Sequence, residues 1–527
     1  MDTECCGANG VGSTIVLASE LVSKQTSPKT RSWKKSLALL LVLALTACAP
    51  RSSTSEATRP ANEAPSKATV TVRPTAALTA QSDETVALVN GTLVDGTGAD
   101  PLPDAAVVIQ KGRIVSVGSR DEVHVPAGAK VIDVQGATIL PGFLNAHVHL
   151  GFDQSRLQAW AQAGVTTVRD LGVSPSPDIF LRRNSLRQDN RNARLVAVGP
   201  LVTVPGGYPM VPWGMQGLTV TSAEDAVSKV SQLLDDGADV VKIALESGST
   251  FGRKIPVLSA AEAAAIVQVA HQRGTRVSAH VLASQDLPRV LEAGVDDIAH
   301  MVSNSLSDDM IARIVKAGIY WVPTIELWKN VGSGGQQAVS NLGRFVAAGG
   351  KVALGTDYAG YAAEFDLGMP VRELEWMLEA GMTAQQIILA GTQNAAYVCN
   401  LEHELGTLEA GKIADVLIVD GDPLQDIHAL LNVRMVIHNG EIIRVTPAPP
   451  TARPTATANS LPPLSGSGGG RIAFSSNRDG NYGLHIMNSD GTDQWRLTKS
   501  LYEDRHPVWS PDGTRIAASR NEPATDL

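Results

Sequence analysis

Cysteine is nearly missing from the body of this 527-residue sequence. Of its four cysteines, Cys5, Cys6 and Cys48 fall within the first 48 residues, which leaves Cys399 alone. The body therefore cannot close an internal disulfide, and its cysteine usage says nothing about compartment. Positive charge is not in excess either. The net charge of −9 argues against a nucleic-acid partner. The unbroken apolar run Leu37–Leu45 is too short to cross a bilayer as a helix. No glycine fingerprint of a dinucleotide site follows the first candidate barrel strand. Coiled-coil, collagen and multi-span membrane compositions are excluded as well.

What is present begins with an address. Arg31, Lys34 and Lys35 precede the Leu37–Leu45 run, which has the size of a signal-peptide core. Leu45-Thr46-Ala47-Cys48 follows and resembles a bacterial lipobox, in which the cysteine is lipidated. The expectation is a signal peptide over 1–48 and an exported chain held at a bacterial membrane through Cys48. The 30 residues before Arg31 are long for such a signal, so translation starting downstream of Met1 is also expected.

Residues 49–84 and 446–470 are rich in Pro, Ser, Thr, Ala and Gly, and read as a tether and a linker. Apolar content of 43% suits a globular core for what lies between. That unit, 85–445, opens and closes with alternating strands, assigned as a small β-sandwich from 85–140 and 400–445. Residues 141–399 alternate strands and helices. Eight strands end in the segments "NAHVHL", "VRDLG", "VGPLVT", "VVKIAL", "VSAHVL", "DIAHMV", "VPTIEL" and "VALGTD". Thr221 with Glu224, and Ser259 with Glu262, fit capping boxes opening two of the helices. The fold class is α/β, a (β/α)₈ TIM barrel carrying the sandwich; a doubly wound open sheet is the rival.

Four of the 11 histidines, one lysine and one aspartate fall near strand C-termini, the end where barrel active sites lie. His147 and His149 are two apart on strand 1 and so face one side. Lys242 closes strand 4, His280 strand 5, His300 strand 6 and Asp357 strand 8. Strand 8 neighbours strand 1 in a closed barrel, which brings Asp357 to the histidine pair. The set suits zinc, with manganese, iron or cobalt left open. His124, His271, His428 and His438 lie elsewhere and are assigned structural roles.

The motifs "LPGFLNAHVHL", "GVTTVRDLG", "GADVVKI", "VSAH", "GVDDIAH", "LGTD" and "LGTLEAGKIADVLIVDGDPL" occur in one order across 85–445. They resemble the amidohydrolase superfamily, nearest its imidazolonepropionase-like and prolidase-like branch. The resemblance implies that His147, His149 and Asp357 hold one divalent ion and that His280 and His300 hold a second. Lys242, carboxylated by carbon dioxide, would bridge them, and Asp357 would shuttle the proton. It further implies hydrolysis of a C–N bond in a small amide or peptide. A lactone, ester or phosphotriester hydrolase on the same site is the alternative, as is a surface-tethered binding protein with a decayed barrel. Relatives often carry a histidine where this chain has Tyr208, so Tyr208 and Arg169 are the candidate substrate contacts. Homo-oligomerisation is left open.

In the tail, 471–527, Arg471-Ile472-Ala473 recurs as Arg515-Ile516-Ala517, a period of 44 residues. "SNRDG", "MNSDGT" and "WSPDGTRIA" resemble TolB-like β-propeller repeats. One blade and the first strand of another are expected there, as in a truncated product of a longer gene.

Overall fold

The computed structural model describes residues 84–331, 334–358 and 365–446. In the tail it describes 470–478, 482–489, 491–492, 494–498, 503–509 and 516–521. The signal-like region, Cys48, the tether up to 83 and most of the 446–470 linker lie outside the described residues. Among those described, no helix is long and apolar enough to cross a membrane.

The two flanks of the 85–445 unit build one sheet. The N-terminal flank gives β1 (Val86–Leu93), β2 (Leu102–Gln110), β3 (Arg113–Ser119), β4 (Lys130–Asp133) and β5 (Thr138–Pro141). The C-terminal flank gives β15 (Val416–Val419), β16 (Val433–His438) and β17 (Glu441–Val445). Their order is β17-β16-β15-β5-β1-β2-β3, with β4 on β1. Alternation puts Leu88, Val107, Ile109, Ile139, Val416, Ile418 and Ile437 into one buried cluster. The sheet curls over it, so that Ile413, just before β15, bridges to Arg113 of β3. Two tight hairpins turn at Lys111-Gly112 and Asn439-Gly440, each pair with positive φ as such turns require. A Cβ on Gly440 would lie 2.4 Å from the Cα of Gly112, so the hairpin tips touch only because position 440 is glycine.

Between the flanks run parallel strands alternating with helices. β6 (Phe143–Val148), β7 (Val165–Asp170) and β8 (Arg194–Ala197) form one parallel sheet. β9 (Val202–Thr203), β10 (Leu218–Thr219), β11 (Val241–Ala244), β12 (Val277–His280), β13 (Asp297–Ala299) and β14 (Tyr320–Val322) form the other, in the order β10-β9-β11-β12-β13-β14. Every residue of β6, β7, β11, β12, β13 and β14 is buried, as in strands covered on both faces. The fold is thus α/β and TIM-barrel-like, but it departs from the expected closed barrel. The third expected strand breaks at Gly199-Pro200 into β8 and β9, and the ladder is interrupted there. The eighth is too short for a ladder of its own: Val352 bridges to Trp321, and Tyr358 bridges to Val148. Between these bridges the N–H of Ala146 donates to the carbonyl of Leu354 at 2.7 Å.

The helix Ala260–Gln272 opens with the expected capping box of Ser259 and Glu262. The helix Ala223–Asp236 does not use the expected Thr221–Glu224 pair. Ser222 is its cap and accepts the N–H of Asp225, while Thr221 donates to the Asp225 carboxylate. Cys399 is buried, and burial pushes its thiol up to about 12, so it is an inert core residue.

The tail also differs from a single four-stranded blade. β18 (Arg471–Ser476), β19 (Gly483–Asn488) and β20 (Trp495–Arg496) form an antiparallel three-stranded sheet. β21 (Glu503–Trp509) pairs instead with β22 (Ile516–Asn521) in a separate two-stranded sheet.

Candidate metal centre

Five imidazole or carboxylate side chains converge where the parallel strands end. His147 and His149, at the end of β6, turn to the same side, and the end of the eighth segment folds over them. The N–H of Asp357 donates to the carbonyl of His147 at 2.9 Å. This fit needs Gly355, where a Cβ would lie 2.8 Å from the Cβ of His147 and 2.4 Å from Val322. Asp357 Oδ1 then sits 3.0 Å from His147 Nε2 and 3.1 Å from His149 Nε2. Ligands about 2.1 Å from a shared ion, at tetrahedral to octahedral angles, lie about 3.0–3.4 Å apart. The trio has that spacing.

On the opposite side His280 closes β12 and His300 follows β13. His300 Nε2 lies 3.0 Å from His280 Nδ1, again ligand spacing. The two histidine pairs adjoin: the rings of His147 and His300 are 4.8 Å apart. His147, His300 and Asp357 present ligand atoms within 4.8 Å of one another. Two ring nitrogens here, His147 Nδ1 and His280 Nε2, are buried with no hydrogen-bond partner. His300 and Asp357 both adopt left-handed backbone, φ 71° and 61°, a strain that structure retains where a side chain must be aimed.

The electrostatics favour cation binding. Burial pushes His147 and His280 well below the usual histidine range, and His300 down to about 3. All three rings are thereby held neutral, with lone pairs available to a metal. His149 moves the other way: burial lowers it, but its contacts with Asp357 outweigh that. Burial alone would raise Asp357, yet the neighbouring His147 and His149 hold its carboxyl well below the usual range. Lys242, on β11, is buried, and burial brings its ammonium down to about 7 against the pull of Asp297. Its Nζ is 3.4 Å from Ser278 Oγ.

The two substrate-contact candidates part ways. Tyr208 lies at the site, stacked on His280 with ring centroids 3.8 Å apart. Arg169 does not reach a substrate. It is fully buried, paired through two nitrogens with Asp297, and donates also to the carbonyls of Ala146 and Val398. Its charge is spent on tying β7 to β13. The histidines assigned structural roles all sit apart from the centre. His271 contacts Asp296, His428 contacts Glu375 and Asp426, His438 lies beside Asp415, and His124 is exposed. Sequence reasoning missed Thr324, whose Oγ1 is 2.9 Å from His300 Nδ1, and Asp297. For Asp297 the doubled aspartate of "GVDDIAH" at a strand start was a readable signal.

A model of the Amidohydrolase family matches residues 138–443. The chain is 27% identical over 415 residues to an ochratoxinase of Aspergillus niger, spanning 66% of this chain and 84% of that protein. It is 25% identical over 379 residues to an imidazolonepropionase of Symbiobacterium thermophilum, spanning 60% of this chain and 84% of that one. Among solved structures, a Xaa-Pro dipeptidase with bound methionine in its active site matches with a TM-score of 0.60 at 25% identity. That match covers 68% of this chain and 99% of the dipeptidase.

Proposed function

Because the chain belongs to the amidohydrolase family, we propose that its centre holds two divalent ions bridged by carboxylated Lys242 and hydrolyses a small amide or peptide. The coarser activity, metal-dependent hydrolysis of a C–N bond, is that of the family and its enzyme relatives, and it is the activity of this chain. The observation that carries the finer reading is the pairing of ligand atoms. His147 and His149 meet on Asp357 Oδ1, while His280 and His300 meet each other, each at 3.0–3.1 Å.

His147, His149 and Asp357 would hold one ion, and His280 and His300 the other. Bound there, divalent ions lower the pKa of a water molecule and polarise the scissile carbonyl. Zinc suits this donor set, with manganese, iron or cobalt as substitutes. Four histidines and one aspartate carry too little negative charge for two dications. A lysine brought down to about 7 has a substantial amine fraction near neutral pH and can attack carbon dioxide. A new C–N bond forms, one proton leaves to solvent, and the resulting carbamate carries a negative charge on two oxygens. Asp357, held ionised, accepts the proton of the attacking water and returns it to the leaving amine as the C–N bond breaks.

The pocket wall supports a substrate with an apolar flank. Phe251 stacks on Tyr208 at 6.3 Å, and Trp213, 59% exposed, packs edge-on against Phe251. An aromatic surface beside the centre rewards burial of a ring or large aliphatic group.

The test combines metal analysis with a substrate panel of dipeptides, N-acyl amino acids and lactones. About two ions per chain are expected, with bicarbonate aiding loading and turnover of amides. Lys242→Ala should lose most metal and activity. One tightly bound ion per fully active chain, or turnover of lactones alone, would overturn this reading.

We also infer export and lipid anchoring through Cys48, supported by the lipobox-like sequence. Cys48→Ser should release the protein from membranes; full retention would contradict it. The tail, likewise, is read as a partial TolB-like propeller segment on its repeat of 44 residues.

A further inference from the structure

The strands carrying His300 and Thr324 stay paired beyond their ladder. The N–H of His300 donates to the carbonyl of Val322 at 2.9 Å, and that of Met301 to Pro323 at 2.8 Å. At this level both His300 and Thr324 turn left-handed, φ 71° and 48°. For a β-branched residue such as Thr324 that conformation is costly, and something must hold it. The matched turns bring Thr324 Oγ1 within 2.9 Å of His300 Nδ1. Thr324 is fully buried.

What holds the turn is a carboxylate from a distant helix. Glu373, in the helix Val371–Glu379, is fully buried. Its two oxygens accept the N–H groups of Ile325 and Glu326 at 2.9 and 2.7 Å. These are the first backbone donors after Thr324, at the start of the helix Ile325–Val331, where N–H groups lack helical partners. The same helix reaches back a second time, as Trp328 Nε1 donates to the carbonyl of Met301 at 2.7 Å. The Glu373-bound turn is thus indexed to the His300 segment at two points.

We propose that Glu373, acting through Thr324, is a positioning residue that fixes the tautomer and aim of His300. For Nε2 to bind an ion its lone pair must be free, so the ring proton must sit on Nδ1. There Thr324 Oγ1 is the acceptor that selects it. Partners of this kind change metal affinity by about 10–100-fold when removed. The proposal rests on His300 being a metal ligand, which the experiment checks separately.

The measurement is Zn²⁺ affinity of the full chain by competition with a chromophoric chelator, beside the melting temperature of the metal-free form. Thr324→Val keeps the shape and loses the hydroxyl, and should weaken the second Zn²⁺ about 10–100-fold. Thr324→Ser keeps the hydroxyl and should stay near wild type. Glu373→Gln should weaken the same ion with no further loss when combined with Thr324→Val, because the two act in series. Should Glu373→Gln fail to fold, Glu373→Asp replaces it. Equal losses in Thr324→Val and Thr324→Ser would assign the residue to packing and overturn the proposal. So would wild-type affinity in the Glu373 variant. His300→Ala separates the premise: undiminished Zn²⁺ binding there would remove His300 as a ligand. Loss in His300→Ala with none in Thr324→Val would leave the ligand standing and overturn only the positioning role.

Discussion

The metal centre and the Arg169–Asp297 pair adjoin through Ser278, whose hydroxyl reaches Asp297 at 2.7 Å and lies 3.4 Å from Lys242. Both are polar clusters inside an apolar interior, yet they are finished differently. Arg169 and Asp297 satisfy each other through two parallel hydrogen bonds, with two backbone carbonyls and Ser278 taking what remains. In the centre, Asp357 Oδ1 faces two histidine nitrogens yet makes no well-directed hydrogen bond, and His300 and Asp357 sit in left-handed backbone. A buried polar group normally costs free energy until it is paired. A cluster that closes its own hydrogen bonds holds the fold together, whereas one that leaves them open is built for something that arrives later.

The largest effect should come from breaking the open cluster at its shared oxygen. Asp357→Asn should lower turnover by about 10²–10⁴-fold through loss of the proton acceptor. Thermal unfolding of its metal-free form should fall, because His147 and His149 stabilise the ionised carboxyl, but by less than in an Arg169 variant. A drop as large as that of an Arg169 variant would abolish the contrast.

The closed cluster should respond in stability. Arg169→Met leaves the buried Asp297 without its ion-pair partner, at a cost of about 3–5 kcal/mol in denaturant unfolding. Removing both charges together, as Arg169→Met with Asp297→Leu, should recover much of that loss. If the double variant is as unstable as the single, the pair is contributing something other than mutual neutralisation.

A third buried carboxylate sharpens the comparison through its effect at acid pH. Asp415, just before β15, is bound by Arg194 of β8 at 2.9 Å and lies beside His438 at 3.1 Å. Burial alone would raise it, but Arg194 and His438 hold its carboxyl far below the usual range. A depressed carboxylate contributes stability that is present above its unfolded pKa of about 3.9 and lost as pH falls below that. The stability curve should therefore fall on its acid side below about pH 4, and Asp415→Asn should flatten that limb. An unchanged acid slope would show that Asp415 does not set it.

The sequence revealed the clustered histidines and aspartate better than it revealed their supports. His147 and His149 were legible because strand periodicity forces residues two apart onto one side. Asp357 was legible because it ends the eighth segment. Arg169 was misread as a substrate contact since all six residues of β7 are buried, and alternation cannot tell inward from outward in such a strand. The helix cap slipped by one residue because Thr221-Ser222 and Glu224-Asp225 offer two overlapping boxes. Glu373 and Thr324 were invisible because no spacing rule links a helix side chain to a turn on a different strand. The interrupted barrel followed from Gly199-Pro200 and from an eighth segment too short for a ladder, both matters of tertiary geometry.

The sheet formed by the chain's two flanks also bears on how the protein is made. β5, from Thr138, takes β15 as its neighbour, from Val416, with the whole catalytic region strung between them. A ribosome delivers the first flank long before the second exists. Until then one edge of the early sheet waits for its mate, and the hairpin tips at Gly112 and Gly440 cannot meet. Such distant pairing slows folding and prolongs exposure of sticky edges. The nascent chain is thus committed to a late, nearly all-at-once closure, and its yield in a cell should depend on how well that interval is guarded.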